Sequence, residues 1–231
     1  MKRILIFLAF LTAIIAVNII FNDKFIFTKT ACKFGNEARC QKLNLAGNKY
    51  LINKEFTKAE NLLKTACKAK FWKSCSNLGA LYIQTNDNKN AEFYLKLSCN
   101  NDFFGGCDNL GKFYVKEKEF EKAFAFFKPA CESGILQSCH ILGALYFKGD
   151  GIFTDKAEAA KYLQKACDGN LYESCAGLIA IYGLGETGEQ DFKKALYFAK
   201  KSCDGGIENS CKIIKKLEKA VKYSEKLKKT D

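Results

Sequence analysis

Twelve cysteines are the residues with the clearest chemical potential in this chain of 231 residues. Two neighbouring thiols can form a disulfide, and clusters of thiols and imidazoles can bind zinc. Zinc ligands are typically about two to four residues apart, and the single histidine, His140, cannot complete a set of zinc sites. The cysteines instead form six pairs whose members are eight residues apart. The pairs are Cys32/Cys40, Cys67/Cys75, Cys99/Cys107, Cys131/Cys139, Cys167/Cys175 and Cys203/Cys211.

The equal spacing favours sequential disulfides over the many other pairings that twelve cysteines allow. Disulfides persist in oxidising compartments, so the pattern indicates a protein that is exported from the cytoplasm, to the periplasm or beyond the cell. No metal site and no cofactor is expected.

Other catalytic chemistry has little support in the sequence. A serine β-lactamase uses a Ser-x-x-Lys motif with a Lys-Thr-Gly partner, and neither combination occurs. A catalytic zinc needs about three protein ligands, which oxidised cysteines and one histidine do not supply. The sequence therefore assigns no catalytic or ligand-binding residue and favours a protein that is not an enzyme. His140 is interpreted as a solvated or groove-lining side chain.

Each cysteine pair requires a turn, because eight residues of straight helix span about 12 Å, twice the Cα separation that a disulfide tolerates. Asp168-Gly169 and Asp204-Gly205 follow first cysteines and are typical of helix ends. A serine precedes four second cysteines and is predicted to N-cap the next helix. These serines are Ser74, Ser138, Ser174 and Ser210.

The chain between the corners repeats every 32 to 36 residues, which is the period of a helix-pair solenoid. After the second cysteine, Leu recurs at offset three, Gly at four and Tyr at seven, which is one face of a first helix, A. Before the next first cysteine, Ala recurs at offset eight and a large apolar residue at five, which defines a second helix, B. The small residues are predicted to let the two backbones approach closely. An acidic residue twelve before the cysteine is predicted to cap helix B or to favour its N-terminus electrostatically: Glu55, Asp87, Glu119, Asp155 and Asp191.

Both ends differ from the repeats and give three predicted domains. Residues 1–21 are an export signal, because Met1-Lys2-Arg3 precedes an apolar run over 4–21 that suits both a cleaved signal peptide and an inner-membrane anchor. Residues 22–211 form the disulfide-linked solenoid of about five helix pairs. Residues 212–231 form a basic helix, favoured as a terminal cap over a membrane-surface helix.

The net charge of +12 comes almost wholly from lysine, since Arg3 and Arg39 are the only arginines. Nucleic-acid recognition relies strongly on arginine, so no nucleic-acid partner is predicted. The lysines are interpreted mainly as solvated surface charges, with attraction to an acidic surface as the alternative. Trp72 and the residues at its offset, Phe104, Leu136 and Tyr172, are favoured as packing residues over exposed anchors. An apolar residue just before each of them suits the contact that follows a helix C-cap.

These motifs carry a family resemblance. The pattern C-x-x-L-G-x-x-Y followed by D-x-x-K-A, as in Asp191 to Ala195, resembles the Sel-like repeat family, relatives of the tetratricopeptide repeats. The C-x7-C corner is similar to that of the secreted Helicobacter cysteine-rich proteins. The resemblance implies an all-α, right-handed α/α solenoid with a disulfide at each inter-repeat corner and a concave face lined mainly by A helices. It also implies binding of β-lactam or peptidoglycan-like compounds, in some members slow β-lactamase activity, and action on host cells.

The sequence thus predicts an exported, disulfide-stapled binding protein whose concave face recognises a protein, a peptide or a cell-envelope glycan. A slow β-lactamase and a secreted host-interacting effector are the alternatives. A membrane contact is expected only through residues 4–21 if they are retained, and the oligomeric state is not predicted.

Overall fold

The computed structural model describes residues 26–149, 153–186, 188 and 190–227, so the predicted signal at 1–21 lies outside it. The described residues form twelve helices and no strand. Within them, none of the helices combines the length and hydrophobicity that a membrane span requires. The helices are α1 (26–33), α2 (Glu37–Ile52), α3 (Phe56–Lys68), α4 (Trp72–Gln84), α5 (Asn88–Cys99), α6 (Phe104–Lys116), α7 (Phe120–Glu132), α8 (Leu136–Lys148), α9 (Lys156–Asp168), α10 (Tyr172–Leu184), α11 (Phe192–Asp204) and α12 (Glu208–Leu227).

The chain divides into two compact units, Met1–Gly106 and Cys107–Asp231. In the first unit, α2 packs on α3, α3 on α4 and α4 on α5; in the second, each helix from α7 to α12 packs on the next. The A helices are α2, α4, α6, α8 and α10, and the B helices are α3, α5, α7, α9 and α11. The predicted fold class, an all-α solenoid of helix pairs with disulfides at the corners, is confirmed.

Five described disulfides each join the end of one helix to the start of the next. The Cα atoms are 4.8 Å apart in Cys67–Cys75 and 4.7 Å apart in Cys131–Cys139. The pairs Cys32–Cys40, Cys167–Cys175 and Cys203–Cys211 have the same arrangement. Cys99 and Cys107 are also oxidised, and the described part of the chain has no free thiol.

The corners turn through a left-handed residue. After α3, Lys70 has φ +63°, its N–H donates to the Cys67 carbonyl, and the Phe71 N–H donates to the Ala66 carbonyl. This is the Schellman pattern, in which an apolar residue follows the left-handed one. The predicted apolar contact after the C-cap is therefore confirmed, and Phe71 packs against the core around Cys32 and Cys40.

Gly169 and Gly205 follow the ends of α9 and α11 as predicted, but neither adopts the left-handed conformation. Their φ angles are −78° and −79°, whereas Asn170 and Gly206 are the left-handed residues of these corners. A β-carbon at Gly169 would meet the side chain of Leu136, and one at Gly205 would meet the ring of Tyr172. These glycines make room for a side chain from the preceding corner, which supports the packing interpretation of Leu136 and Tyr172.

The predicted serine N-caps are wrong. α4, α8 and α10 begin three residues earlier than predicted, with Phe71, Ile135 and Leu171 at the N-cap and no side-chain cap hydrogen bond. The corner has fewer residues than the prediction assumed, because the apolar residue that ends one helix also starts the next. The serines lie inside the helices that follow the corners and are buried: Ser74, Ser138, Ser174 and Ser210.

The predicted close approach of A and B helices is confirmed. A β-carbon at Gly143 would lie 2.6 Å from Leu163 Cγ and 3.2 Å from the carbonyl oxygen of Ala159. Gly79 has the same relation to Leu95 and to Ala91. Beside four of the crossings, from α4 and α5 onward, the Tyr of helix A stacks on an aromatic ring of helix B, as Tyr146 does on Tyr162 with centroids 5.6 Å apart.

The acidic residues at the B-helix starts act as predicted. Asp87, Asp155 and Asp191 are N-caps whose carboxylates accept backbone N–H groups of α5, α9 and α11. Glu55 and Glu119 occupy the same position without a side-chain cap bond and pair instead with Lys58 and Lys122. The longer glutamate side chain therefore contributes charge rather than a cap hydrogen bond.

Candidate functional site

Helix α10 carries apolar residues on two faces. Its inner face buries Leu178 and Ile181 completely in the core of the second unit. Its outer face presents a stripe of Ala176, Ala180 and Leu184, and Leu184 is 65% exposed. No residue from 175 to 184 is charged. A helix that is apolar all round is normally buried, so the outer stripe of α10 requires an explanation beyond folding of the unit.

The other A helices are polar at two of these three positions. The residue one after the second cysteine is Ser76 in α4, Asp108 in α6 and His140 in α8, but Ala176 in α10. The residue five after it is alanine in α4 and α8 as well as in α10. The residue nine after that cysteine is Lys116 in α6 and Lys148 in α8, but Leu184 in α10. The exposed apolar surface is therefore a specific property of the last full repeat.

This stripe forms one wall of a groove between α10 and α12 with a volume of about 700 Å³. The opposite wall is the apolar face of α12, formed by Ile213, Leu217 and Ala220. Phe192, at the start of α11, also borders the groove. The polar residues of the lining are Asn209, Ser210 and Lys216. The volume lies within the range of about 300 to 1,000 Å³ that is usual for ligand pockets.

A side-chain hydrogen bond that joins helices elsewhere in the second unit is absent at the groove. The Ser138 hydroxyl donates to Asp108 Oδ1 at 2.7 Å and joins α8 to α6. His140 Nδ1 lies 2.8 Å from Ser174 Oγ and joins α8 to α10. The next link would run from residue 176 to Ser210, but residue 176 is alanine, and the Ser210 hydroxyl donates to Ser202 within the corner. The sequence of α10 thus lacks the polar side chain that Asp108 in α6 and His140 in α8 supply for a hydrogen bond to the helix two further along the chain.

Core packing also changes at this repeat. Ile179 occupies the position of the small glycine of other A helices, such as Gly143. The B-helix position that carries Leu163 in the preceding repeat carries Ala199, and both Ile179 and Ala199 belong to the core of this unit. The large residue has moved from the B helix to the A helix, which keeps the packed volume and places Ile179 at the floor of the groove.

The surface beside the groove is basic. All three acidic residues of α12 are paired: Glu208 with Lys212, Glu218 with Lys200, and Glu225 with Lys193. The last two pairs tie α12 to α11. Five lysines of α12 have no ion pair among the described residues: Lys215, Lys216, Lys219, Lys222 and Lys226.

His140 and Ser174 form a contact of the type that activates a serine nucleophile, but its setting does not suit catalysis. Ser174 is 0% exposed, so no substrate can reach its hydroxyl. Burial lowers the pKa of His140, and the nearby Glu173 partly opposes this effect. The neutral imidazole therefore serves as a hydrogen-bond partner that holds α8 against α10.

The other residues considered from sequence are placed apart from this groove. Trp72 and Phe103 border a cavity of about 450 Å³ in the first unit, together with Lys70 and Lys73. Among the described residues, no group of three or more His, Cys, Asp or Glu side chains is arranged to hold a metal ion. The groove itself was missed by sequence reasoning, although Ala176 and Leu184, at two positions that are polar in the other A helices, were its signal.

Comparison with known proteins agrees with this geometry. The Sel1 repeat model matches residues 109–135, 136–171 and 177–207. No curated protein matches the chain's sequence. A Sel1 repeat protein from Oxalobacter formigenes has a similar structure, with 19% identity, a TM-score of 0.65 and coverage of 83% of this chain and 88% of that one.

Two further solved structures are similar. The c5321 protective antigen of uropathogenic Escherichia coli, described as displaying an SLR fold, has 20% identity and a TM-score of 0.67; it covers 85% of this chain, which spans 44% of that antigen. Cysteine rich protein B of Helicobacter pylori has 26% identity over 51% of this chain and 95% of that one, with a TM-score of 0.39. The chain thus carries Sel1 repeats and has the fold of the Sel-like repeat proteins.

Proposed function

We propose that this protein is a binding protein whose α10–α12 groove holds a segment of a partner protein. The observation that carries the proposal is the apolar outer stripe of α10, Ala176, Ala180 and Leu184, which faces the apolar side of α12 across the groove. Rimmed apolar patches of this kind on soluble domains mark interaction sites. Sel1 repeats generally mediate contacts between proteins, which agrees with this assignment.

The lining favours a protein segment over a glycan. A glycan presents many hydroxyl groups and needs a site with many hydrogen-bonding side chains. The groove offers Asn209, Ser210 and Lys216, and the Ser210 hydroxyl already donates to Ser202. Apolar side chains of a peptide would fill the remaining surface without leaving polar groups unpaired. A protein segment is therefore the proposed ligand, and a peptidoglycan-like ligand is the less favoured alternative.

A peptide selection tests the groove. Displayed random peptides of about 16 residues, long enough to form a short helix, are selected on the oxidised protein. Their affinity is then measured for two single substitutions, Ala180→Glu in the groove and Ala125→Glu on α7. Both positions are exposed on helices of the same unit, so the two variants have the same change of chemistry.

The expected result is a loss of at least about tenfold in affinity, 1.4 kcal/mol or more, for Ala180→Glu, with Ala125→Glu close to the unsubstituted protein. A buried, unpaired carboxylate in an apolar groove accounts for this loss. Circular dichroism of each variant checks that the fold is intact. Selected peptides that bind Ala180→Glu as well as the unsubstituted protein would refute the proposal.

Export is part of the proposal. The disulfides indicate an oxidising compartment, periplasmic or extracellular. We assign residues 1–21 to an export signal, 22–211 to the disulfide-linked solenoid and 212–231 to a capping helix. Intact mass of the protein recovered from its native compartment tests the first assignment: loss of the segment indicates cleavage, and its retention indicates an inner-membrane anchor.

A slow β-lactamase remains the enzymatic alternative that the family resemblance suggests. Its test is incubation of the oxidised protein with a chromogenic β-lactam. Turnover that Ala180→Glu abolishes and Ala125→Glu leaves intact would replace the binding proposal by a hydrolase. A secreted effector that acts on host cells is the same binding function with a host protein as the partner.

A further inference from the structure

We infer that the segment held in the α10–α12 groove is an acidic amphipathic helix. This inference rests on the proposed function and specifies its ligand. It depends on the arrangement of charge beside the groove, on the small number of hydrogen-bonding side chains that line it, and on its length.

The charge of α12 is divided between its two sides. Glu218 and Glu225 point towards α11, where Lys200 and Lys193 neutralise them at 3.3 Å and 2.7 Å. Lys216 lines the groove. Lys219 and Lys226 follow it three and ten residues later, so the three lysines form a row on one side of α12, within about 80° around its axis.

This row has no acidic partner among the described residues. A ligand with carboxylates beside its apolar residues would supply the missing charges, whereas a basic ligand would add like charges at short range. Complementary charge of this kind raises the association rate and selects against partners of the wrong sign. The groove therefore selects acidic ligands.

The backbone of the ligand determines its conformation. An extended peptide in an apolar groove would bury backbone N–H and C=O groups that need partners. Both walls are helices whose own backbone groups are bonded internally, and the lining side chains offer few partners. A helix satisfies its backbone bonds within itself, and helix-in-groove recognition uses apolar anchors at i, i+3/i+4 and i+7.

The dimensions agree with such anchors. Ile213 and Ala220 are seven residues apart on α12, and Ala176 and Leu184 are eight apart on α10. These separations correspond to about 10 to 12 Å of helix rise. A ligand helix lying along the groove presents its i and i+7 side chains about 10.5 Å apart, so two turns fill the groove.

A biased library tests the inference directly. Displayed helical peptides of about 16 residues carry Leu at i, i+3, i+4 and i+7 and draw every flanking position equally from Glu, Gln and Lys. Selection on the unsubstituted protein should enrich Glu over Lys along one side of the apolar stripe. Replacing these glutamates by lysine should weaken binding at least about tenfold.

Two variants supply matched controls. Lys216→Glu should remove the preference for Glu and favour Lys at the same peptide positions. Lys128→Glu makes the same charge change at an exposed position of α7 in the same unit and should leave the preference unchanged. A proline in the middle of a selected peptide should abolish binding, because it breaks the ligand helix.

The outcomes separate this inference from the proposed function. Groove-dependent peptides with no charge preference would overturn the acidic ligand, and groove-dependent peptides that tolerate a central proline would overturn the helix; the binding function survives both. Loss of groove dependence itself, measured with Ala180→Glu, would overturn the proposed function as well. A membrane would be the partner instead if no peptide were selected and the protein sedimented with phosphatidylglycerol vesicles. The Lys216→Glu variant should then no longer sediment with them.

Discussion

His140 Nδ1 on α8 lies 2.8 Å from the hydroxyl oxygen of Ser174 on α10. Burial lowers the pKa of His140, so the folded state binds fewer protons than the unfolded state between that lowered pKa and the ordinary value of about 6.5. Stability therefore rises with pH through this window and is lost as the pH falls. In urea unfolding between pH 7.5 and 5, the free energy of unfolding should fall more steeply with decreasing pH for the unsubstituted protein than for His140→Gln.

The comparison with His140→Gln is necessary because carboxylates also titrate on acidification. Glutamine is neutral throughout and can still bond Ser174, so it removes the titration and keeps the contact. Glu173, which favours the charged imidazole, limits the size of the effect. Parallel pH profiles for the two proteins would contradict the assignment.

The contact between Gly143 and Leu163 predicts the effect of overpacking. Gly143→Ala would place a β-carbon 2.6 Å from Leu163 Cγ, with the carbonyl of Ala159 3.2 Å away, so the helices must move apart. A loss of about 1 to 3 kcal/mol in the free energy of unfolding is expected, measured by urea denaturation. Gly183→Ala is the matched control, since the nearest atom there is 3.8 Å away. It should be neutral or stabilise the helix by up to about 1 kcal/mol.

Coupling between these two positions is a separate prediction. The last repeat carries Ile179 and Ala199 where the preceding one carries Gly143 and Leu163. Leu163→Ala alone leaves a cavity and should cost about 2 to 5 kcal/mol. The double substitution Gly143→Ala/Leu163→Ala should cost less than the sum of the two single substitutions. The methyl group added at position 143 fills part of the cavity left at position 163. Additive effects would show that the two residues do not share this space.

The hydrogen bond from Ser138 to Asp108 gives a fourth prediction. Asp108 is 7% exposed, and its second carboxylate oxygen accepts a hydrogen bond from Lys112 at 2.6 Å. Ser138→Ala removes one partner of a buried charged group and should cost about 1.5 to 3 kcal/mol. Ser224→Ala, whose hydroxyl donates within its own helix to Val221, should change stability by less than about 0.5 kcal/mol. Equal effects of the two substitutions would show that the hydrogen bond between α6 and α8 stabilises the protein no more than a hydrogen bond within one helix.

Much of this fold could be predicted because the same residue types recur at the same offsets in each repeat. Small residues at one offset, such as Gly79 and Ala91, mark a helix crossing wherever they recur, and the cysteine spacing marks each corner. Helix boundaries were less accessible. Ser138 has the chemistry of an N-cap, and only the neighbouring helix, which offers Asp108, shows that its hydroxyl points elsewhere.

The groove could not be predicted from the repeat pattern, because it lies where the residues depart from that pattern. Ile179 is visible in the sequence as an exception to glycine, and Ala176 as a small residue at a polar position. Their joint consequence, an open apolar face beside α12, depends on Ala199 in the core and on the missing bond to Ser210. None of these features predicts a groove alone, and their combined effect is visible only in the packed structure.

The disulfides should dominate the stability of the corners. Each closes a loop of nine residues, and in the chain-entropy model such a loop contributes about 2.5 kcal/mol by restricting the unfolded chain. Replacing both Cys131 and Cys139 by serine should lower the free energy of unfolding of the second unit by about that amount, measured by urea denaturation under oxidising conditions. Because both sulfurs are buried, the polar hydroxyls add a further cost, and Cys131→Ala/Cys139→Ala separates the two contributions. An alanine pair as stable as the unsubstituted protein would show that helix packing alone holds this corner.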